Sequence, residues 1–192
     1  MFKEIITTEE FIQLPLRHFE GEIIVVDNLK SARQAARYLS NFKIIGFDTE
    51  TKPAFKKGQN HKIALLQLAT QDRAYLFRTQ KVGLPEEILK LFTAPEIKFP
   101  GVAIRDDIKA LQTLRPFAPS GFVELQDHAR NLGIQNLSLK KLCAIACGFR
   151  ISKSQQLSNW ESSDLTPQQM TYAATDAWVS LEIYQQIVEG IL

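Results

Sequence analysis

Ile44-Ile45-Gly46-Phe47-Asp48-Thr49-Glu50 decides the fold. The apolar start reads as a buried strand, and the run ends in two acids one residue apart. Side chains alternate across a strand, so Asp48 and Glu50 point the same way if the extended run continues through them. Two carboxylates on one face repel each other unless a cation or a proton sits between them.

A second element lies far downstream. In Tyr172-Ala173-Ala174-Thr175-Asp176 the tyrosine and the aspartate stand four apart in a helical stretch and share a helix face. A strand-end acid pair and a helix-borne Tyr/Asp pair are the parts a magnesium-dependent phosphodiesterase needs. Hard cations prefer carboxylate oxygens, and paired metals clamp the attacking and leaving oxygens of a phosphoryl displacement. Each element alone has a plainer reading, as a turn cap, a solvated acid or a core tyrosine. The argument rests on their occurring together.

Around the acid pair the chain alternates between strand and helix patterns. Thr7 or Thr8 before Glu9-Glu10-Phe11 marks a helix start. Glu22–Val26 reads as a strand and Ser31–Leu39 as an amphipathic helix. After the Ile44–Glu50 strand comes a polar, basic loop from Thr51 to Lys62. Ile63–Ala69 and Arg73–Phe77 follow as strands joined at Gln71-Asp72. Pro85 opens a helix to about Phe92, and Lys98–Ile104 reads as a further strand. Ile108–Leu111 is a helix ending near Pro116, Phe122–Leu132 a helix stopping at Gly133, and Leu137–Cys147 a helix stopping at Gly148. Arg150–Asp164 has no clear period and reads as an exposed loop. Thr166-Pro167-Gln168-Gln169 combines a cap, a first-position proline and a capping box, starting a last helix to about Val188. The order predicts one α/β domain over 1–192, with its core at about 22–190 and a mixed central sheet.

Composition bounds the function. The 192 residues carry 45% hydrophobic and 23% charged side chains, ordinary for a globular domain. A net charge of +2 leaves any nucleic-acid contact to local clusters of Lys and Arg. No apolar run approaches the roughly 18 residues of a membrane span, and the N-terminus lacks a signal-peptide core. These features predict an intracellular, cytoplasmic protein. Cys143 and Cys147, four apart in a helical pattern, read as buried thiols.

Asp107 is a third candidate acid, standing where Gly101-Val102-Ala103-Ile104 gives way to a helix. Ligands in open α/β sheets gather at strand carboxyl ends, so Asp107 is expected to face Asp48 and Glu50. Asp106 competes for the same role on spacing alone.

The acid-x-acid pair, Gly-Val-x-Ile-x-x-Asp and Tyr-x-x-x-Asp together resemble the DEDD superfamily of 3′→5′ exonucleases, in its tyrosine-bearing DEDDy branch. The chain is most similar to the Werner-syndrome exonuclease and ribonuclease D groups. The resemblance runs from about Glu22 to Ile187 and includes Lys62–Leu68, Ser158-Asn159-Trp160, Leu165-Thr166 and Tyr172–Ala177. It implies a ribonuclease H-like fold with a five-stranded mixed sheet flanked by helices. It implies that Asp48, Glu50, Asp107 and Asp176 bind two ions, Mg²⁺ or Mn²⁺, and it selects Asp107 over Asp106. Tyr172 would position the attacking water or help deprotonate it. A tyrosine with an ordinary pKa near 10 is a poor base, so orientation is the role expected. Asp48 is expected to bridge both ions, with Glu50 and Asp176 completing one site and Asp107 supporting the other.

The partner implied is a nucleic acid with a 3′ end, single-stranded or recessed duplex DNA favoured over RNA. The alternatives are ribonuclease D-like RNA trimming and a silent nucleic-acid-binding domain. Candidate contacts are Phe55, Lys56 and Lys57 in the basic loop, where an aromatic beside positive charge suits a single strand. Others are Arg105 and Lys109 flanking Asp107, and Lys153 and Trp160 in the Arg150–Asp164 loop. Trp160 has a second reading, as an anchor of that loop to the core.

Overall fold

The computed structural model describes residues 2–54 and 61–190. Six strands are present among the described residues: β1 (Glu22–Val26), β2 (Gly46–Thr51), β3 (Ile63–Ala69), β4 (Arg73–Arg78), β5 (Phe99–Gly101) and β6 (Phe122–Glu124). Four form one sheet in the order β1-β4-β3-β2, with β1 parallel to β4 and the other pairs antiparallel. β5 and β6 pair in parallel as a second ladder. A parallel bridge between Ile44 and Lys98 joins the two ladders, through Ile45 N–H to Lys98 O at 2.9 Å and Lys98 N–H to Lys43 O at 2.7 Å. The mixed sheet is therefore as expected, with six strands rather than five.

The additional strand is β6. Phe122–Leu132 was expected to be one helix, but only Leu125–Asn131 (α6) is helical. The Glu124 side chain caps that helix by accepting from Gln126 N–H, and it also accepts from the N–H groups of Ala103 and Ile104. These bonds end β5 early. Lys98–Ile104 narrows to Phe99–Gly101, because Ala103 takes a left-handed φ of 61° and turns the chain into α5 (Arg105–Leu114).

Helices cover both faces of the main sheet, and the short α1 (Thr8–Gln13) and α3 (Thr79–Val82) complete the eight helices among the described residues. All seven residues of β3 are buried, as expected of a strand packed on both sides. Leu66 and Leu68 join Phe47 and Phe77 in the main core with α2 (Leu29–Leu39) and α4 (Glu86–Thr93). Leu65 and Ala69 face the long α8 (Pro167–Ile187). α8 starts as the sequence predicts, with Thr166 and Gln169 closing a capping box and Pro167 in the first turn. Its later residues Val179, Ile183 and Ile187 pack with α6 and α7 (Leu139–Cys147). Small residues let α8 approach β2: a Cβ on Gly46 would lie 2.0 Å from the Ala177 carbonyl oxygen. Both cysteines are free thiols, and buried Cys143 donates to Phe149 O at 3.3 Å. No helix among the described residues is long and apolar enough to cross a membrane.

Candidate active site

The ladder fixes the direction of the acids. In β2, Phe47 and Thr49 lie opposite Leu68 and Leu66, on the side of the main core. Asp48 and Glu50 lie opposite Gln67 and Leu65 and so face α8. The same face of α8 carries Tyr172 and Asp176, while Ala173 and Ala177 bring the helix close to the sheet. One carboxylate oxygen from each of Asp48, Glu50 and Asp176 lies within 4.8 Å of the others. The two distant motifs thus converge on one point.

These acids and Tyr172 line a cleft of about 390 Å³. The start of α7, with Ser138 and Lys140, and the loop bearing Ser152, Lys153 and Gln156 also line it. A second, largely apolar cavity of about 370 Å³ lies alongside, with Tyr172 and Ser152 common to both. Leu16, Arg17 and His18 also line it.

Crowding buried Asp176 and half-buried Asp48 and Glu50 together shifts their protonation. Burial, and then the charges of Asp176 and Asp107, push the Asp48 carboxyl well above the usual range. Burial followed by the Asp48 and Asp176 charges pushes Glu50 up to about 10. Burial raises Asp176 to about 7, against the opposing pull of the Tyr172 hydroxyl and Lys153. The Tyr172 hydroxyl is raised by burial and then by the Asp176 and Glu50 carboxylates. An all-oxygen set of clustered acids that resist ionising together is the donor set a hard divalent cation takes.

Asp107 does not complete this cluster. It lies at the start of α5 and accepts a hydrogen bond from Thr49 Oγ1 at 2.5 Å, on the core-facing side of β2. Burial raises its carboxyl, partly offset by the Thr49 bond. Its rival Asp106 points into solvent and pairs with Lys109 at 2.9 Å, so of the two only Asp107 turns toward the acid-bearing strand. Asp106 already engages Lys109, and Arg105 pairs with Asp127. Both cations therefore sit on a solvated helix face rather than in the cleft.

Trp160 corrects its assignment as a nucleic-acid contact. It is 0% exposed and packs on Tyr172 with ring centroids 5.9 Å apart, so it anchors the loop and supports the tyrosine from behind. Lys153 does line the cleft. Phe55, Lys56 and Lys57 lie outside the described residues. The flanks of that segment are tied down: Lys52 Nζ and His61 Nδ1 lie 3.4 and 3.7 Å from the Glu161 carboxylate. Sequence reasoning missed Lys140, Gln156 and Ser138 on the cleft wall and Gln67 beneath it. Lys140 carried a signal, a cation just inside a predicted helix start.

A family model described as a 3′-5′ exonuclease matches residues 23–191. The mouse bifunctional 3′-5′ exonuclease/ATP-dependent helicase WRN is 32% identical over 186 residues, which is 91% of this chain and 13% of that protein. Among solved structures, the Aedes aegypti Nibbler EXO domain superposes with a TM-score of 0.79 at 27% identity, covering 91% of each chain. Escherichia coli RNase D shares the fold at a TM-score of 0.79 and 18% identity, over 88% of this chain and 44% of that one. The chain spans less than half the length of the curated relatives it matches. With the model covering nearly all of the chain and the acids converging in one cleft, the chain belongs to the 3′-5′ exonuclease family.

Proposed function

We propose that this chain hydrolyses the terminal phosphodiester bond at the 3′ end of a nucleic acid and releases 5′-mononucleotides, in a metal-dependent reaction. The observation that carries the reading is the meeting of Asp48, Glu50 and Asp176 within 4.8 Å, beside Tyr172. The chemistry that a bound pair of Mg²⁺ or Mn²⁺ ions supplies in such a site is a lowered pKa for the attacking water and neutralisation of charge on the departing oxygen.

The chain's own groups divide the remaining work. Asp48, Glu50 and Asp176 would hold one ion, and Asp107, now bonded to Thr49 beside the cluster, would support a second. The Tyr172 hydroxyl is held in its neutral form by burial and neighbouring carboxylates, so it serves as a hydrogen-bonding group that orients the water rather than as a base. Trp160 fixes the tyrosine ring from behind. Lys140 and Lys153 line the same cleft as the acids and would hold the negative backbone of the strand, a contact that weakens with salt. The apolar cavity beyond Tyr172 gives a nucleobase room beside the scissile bond.

The test is a gel time course on 5′-labelled single-stranded DNA, recessed duplex DNA and RNA. Each substrate is run with Mg²⁺, Mn²⁺ or EDTA, beside an Asp48→Ala/Glu50→Ala control. A metal-dependent ladder shortening from the 3′ end, absent in the control, supports the reading and ranks DNA against RNA. A folded protein that binds these strands without shortening them overturns it in favour of a silent binding domain.

A further inference from the structure

Gln67 sits in the middle of β3 and is 0% exposed, yet neither its amide nitrogen nor its amide oxygen has a hydrogen-bond partner among the described residues. An unpaired buried polar group costs about 1–3 kcal/mol. The rest of the strand, Ile63-Ala64-Leu65-Leu66 and Leu68-Ala69, is apolar, so a leucine would serve the packing better.

Its position gives the reason. Gln67 is directly opposite Asp48 in the antiparallel β2–β3 ladder. Opposed residues share a face with Cβ atoms about 4.5–5.5 Å apart, within the combined reach of a glutamine and an aspartate. One Asp48 oxygen already accepts from Thr49 N–H at 2.9 Å. A carboxylate has about four acceptor sites, and a glutamine amide offers two N–H donors.

The other end of the amide has a candidate partner nearby. Trp160 Nε1 is buried and unpaired among the described residues. The indole packs in one cluster with Leu65, Leu76 and Ala173, and Leu76 is opposite Gln67 on β4. An indole N–H is a donor only, so it suits the Gln67 oxygen and leaves the NH₂ group for Asp48.

We propose that Gln67 is a positioning residue of the metal site: its Nε2–H donates to the Asp48 carboxylate when Asp48 ligates a hard divalent cation, fixing which oxygen faces the ion. This rests on the metal-binding part of the function proposed above. Gln67 itself touches neither ion nor substrate. Loss of such an outer partner typically costs about 10–100-fold in metal affinity.

The test measures Mn²⁺ binding by titration calorimetry and metal-free thermal unfolding for wild type, Gln67→Leu and the near-isosteric Gln67→Met. Expected are a roughly 10–100-fold weaker Mn²⁺ affinity in both variants and a metal-free Tm equal to or above wild type. A merely structural glutamine gives the reverse, a lower Tm with unchanged affinity, and that result overturns the proposal. Absence of Mn²⁺ binding by wild type, or failure of both variants to fold, overturns it too. A wild type that binds Mn²⁺ through Asp48, with binding lost in Asp48→Asn, but shortens no oligonucleotide sinks the exonuclease reading and leaves Gln67 its role.

Discussion

Thr49 Oγ1 donates to the Asp107 carboxylate, so the residue between Asp48 and Glu50 ties the remaining acid to the strand that carries the other two. Thr49→Val removes the donor at almost constant volume and frees Asp107 to rotate. Exonuclease activity is expected to fall about tenfold or more, with Thr49→Ser restoring most of it. Equal activity in the valine and serine variants sinks the tether.

Asp48→Asn separates the cost of the site to the fold from its use. The amide needs no charge buried among Glu50, Asp107 and Asp176, so the metal-free Tm is expected to rise. Activity is expected to fall about a thousandfold, equivalent to about 4 kcal/mol of transition-state stabilisation. Calorimetry beside the gel assay checks both signs, and a lowered Tm contradicts the electrostatic account.

Tyr172→Phe keeps the ring on Trp160 and deletes the hydroxyl. An orienting group costs about 10–100-fold when lost, well short of the effect of Asp48→Ala. Single-turnover rates of the two variants under saturating Mn²⁺ decide the matter. Equal inactivity assigns the hydroxyl an obligatory proton-transfer role instead.

The raised carboxyls make metal-free stability pH-dependent. Glu50 moves from 4.5 to about 10, and Asp176 from 3.8 to about 7. Between its unfolded and folded pKa each acid takes up a proton on folding, so the folded state is penalised as pH rises. The Tm in EDTA is expected to fall from about pH 4 to pH 7, with Glu50 and the likewise raised Asp48 carrying the decline beyond that. Stabilisation by Mn²⁺ is expected to grow over the same range, because ligation displaces those protons. Melting curves with and without metal across this range provide the check, and a flat EDTA series refutes the shifts.

Gly46 has a mechanical role. A Cβ there meets the Ala177 carbonyl oxygen at 2.0 Å, so Gly46→Ala must push α8 away from β2. A destabilisation of about 1–3 kcal/mol in urea unfolding is expected, with weaker Mn²⁺ binding as Asp176 moves from Asp48. A variant with native stability and affinity shows that the helix has slack.

Much of this site was legible in the sequence because its parts obey local rules. Alternation placed Asp48 and Glu50 on one face, and the Thr166–Gln169 capping box set the start of α8, from which Tyr172 and Asp176 follow. What remained hidden depends on partners distant in the chain. β6 spans three residues, and its end is fixed by Glu124 bonding to Ala103 and Ile104. The position of Asp107 is set by a threonine 58 residues away. Gln67 belongs to no periodic pattern, and only its register against Asp48 gives it meaning.

α8 has 21 residues and is roughly 30 Å long. One stretch of it carries Tyr172 and Asp176, while the next buries Val179, Ile183 and Ile187 in the core. Backbone amides in the buried middle of such a central element are expected to exchange mostly through the largest openings of the molecule. The α8 wall of the cleft is therefore expected to come apart mainly when the whole fold opens, so the lifetime of the folded state would set how long the acid cluster stays assembled.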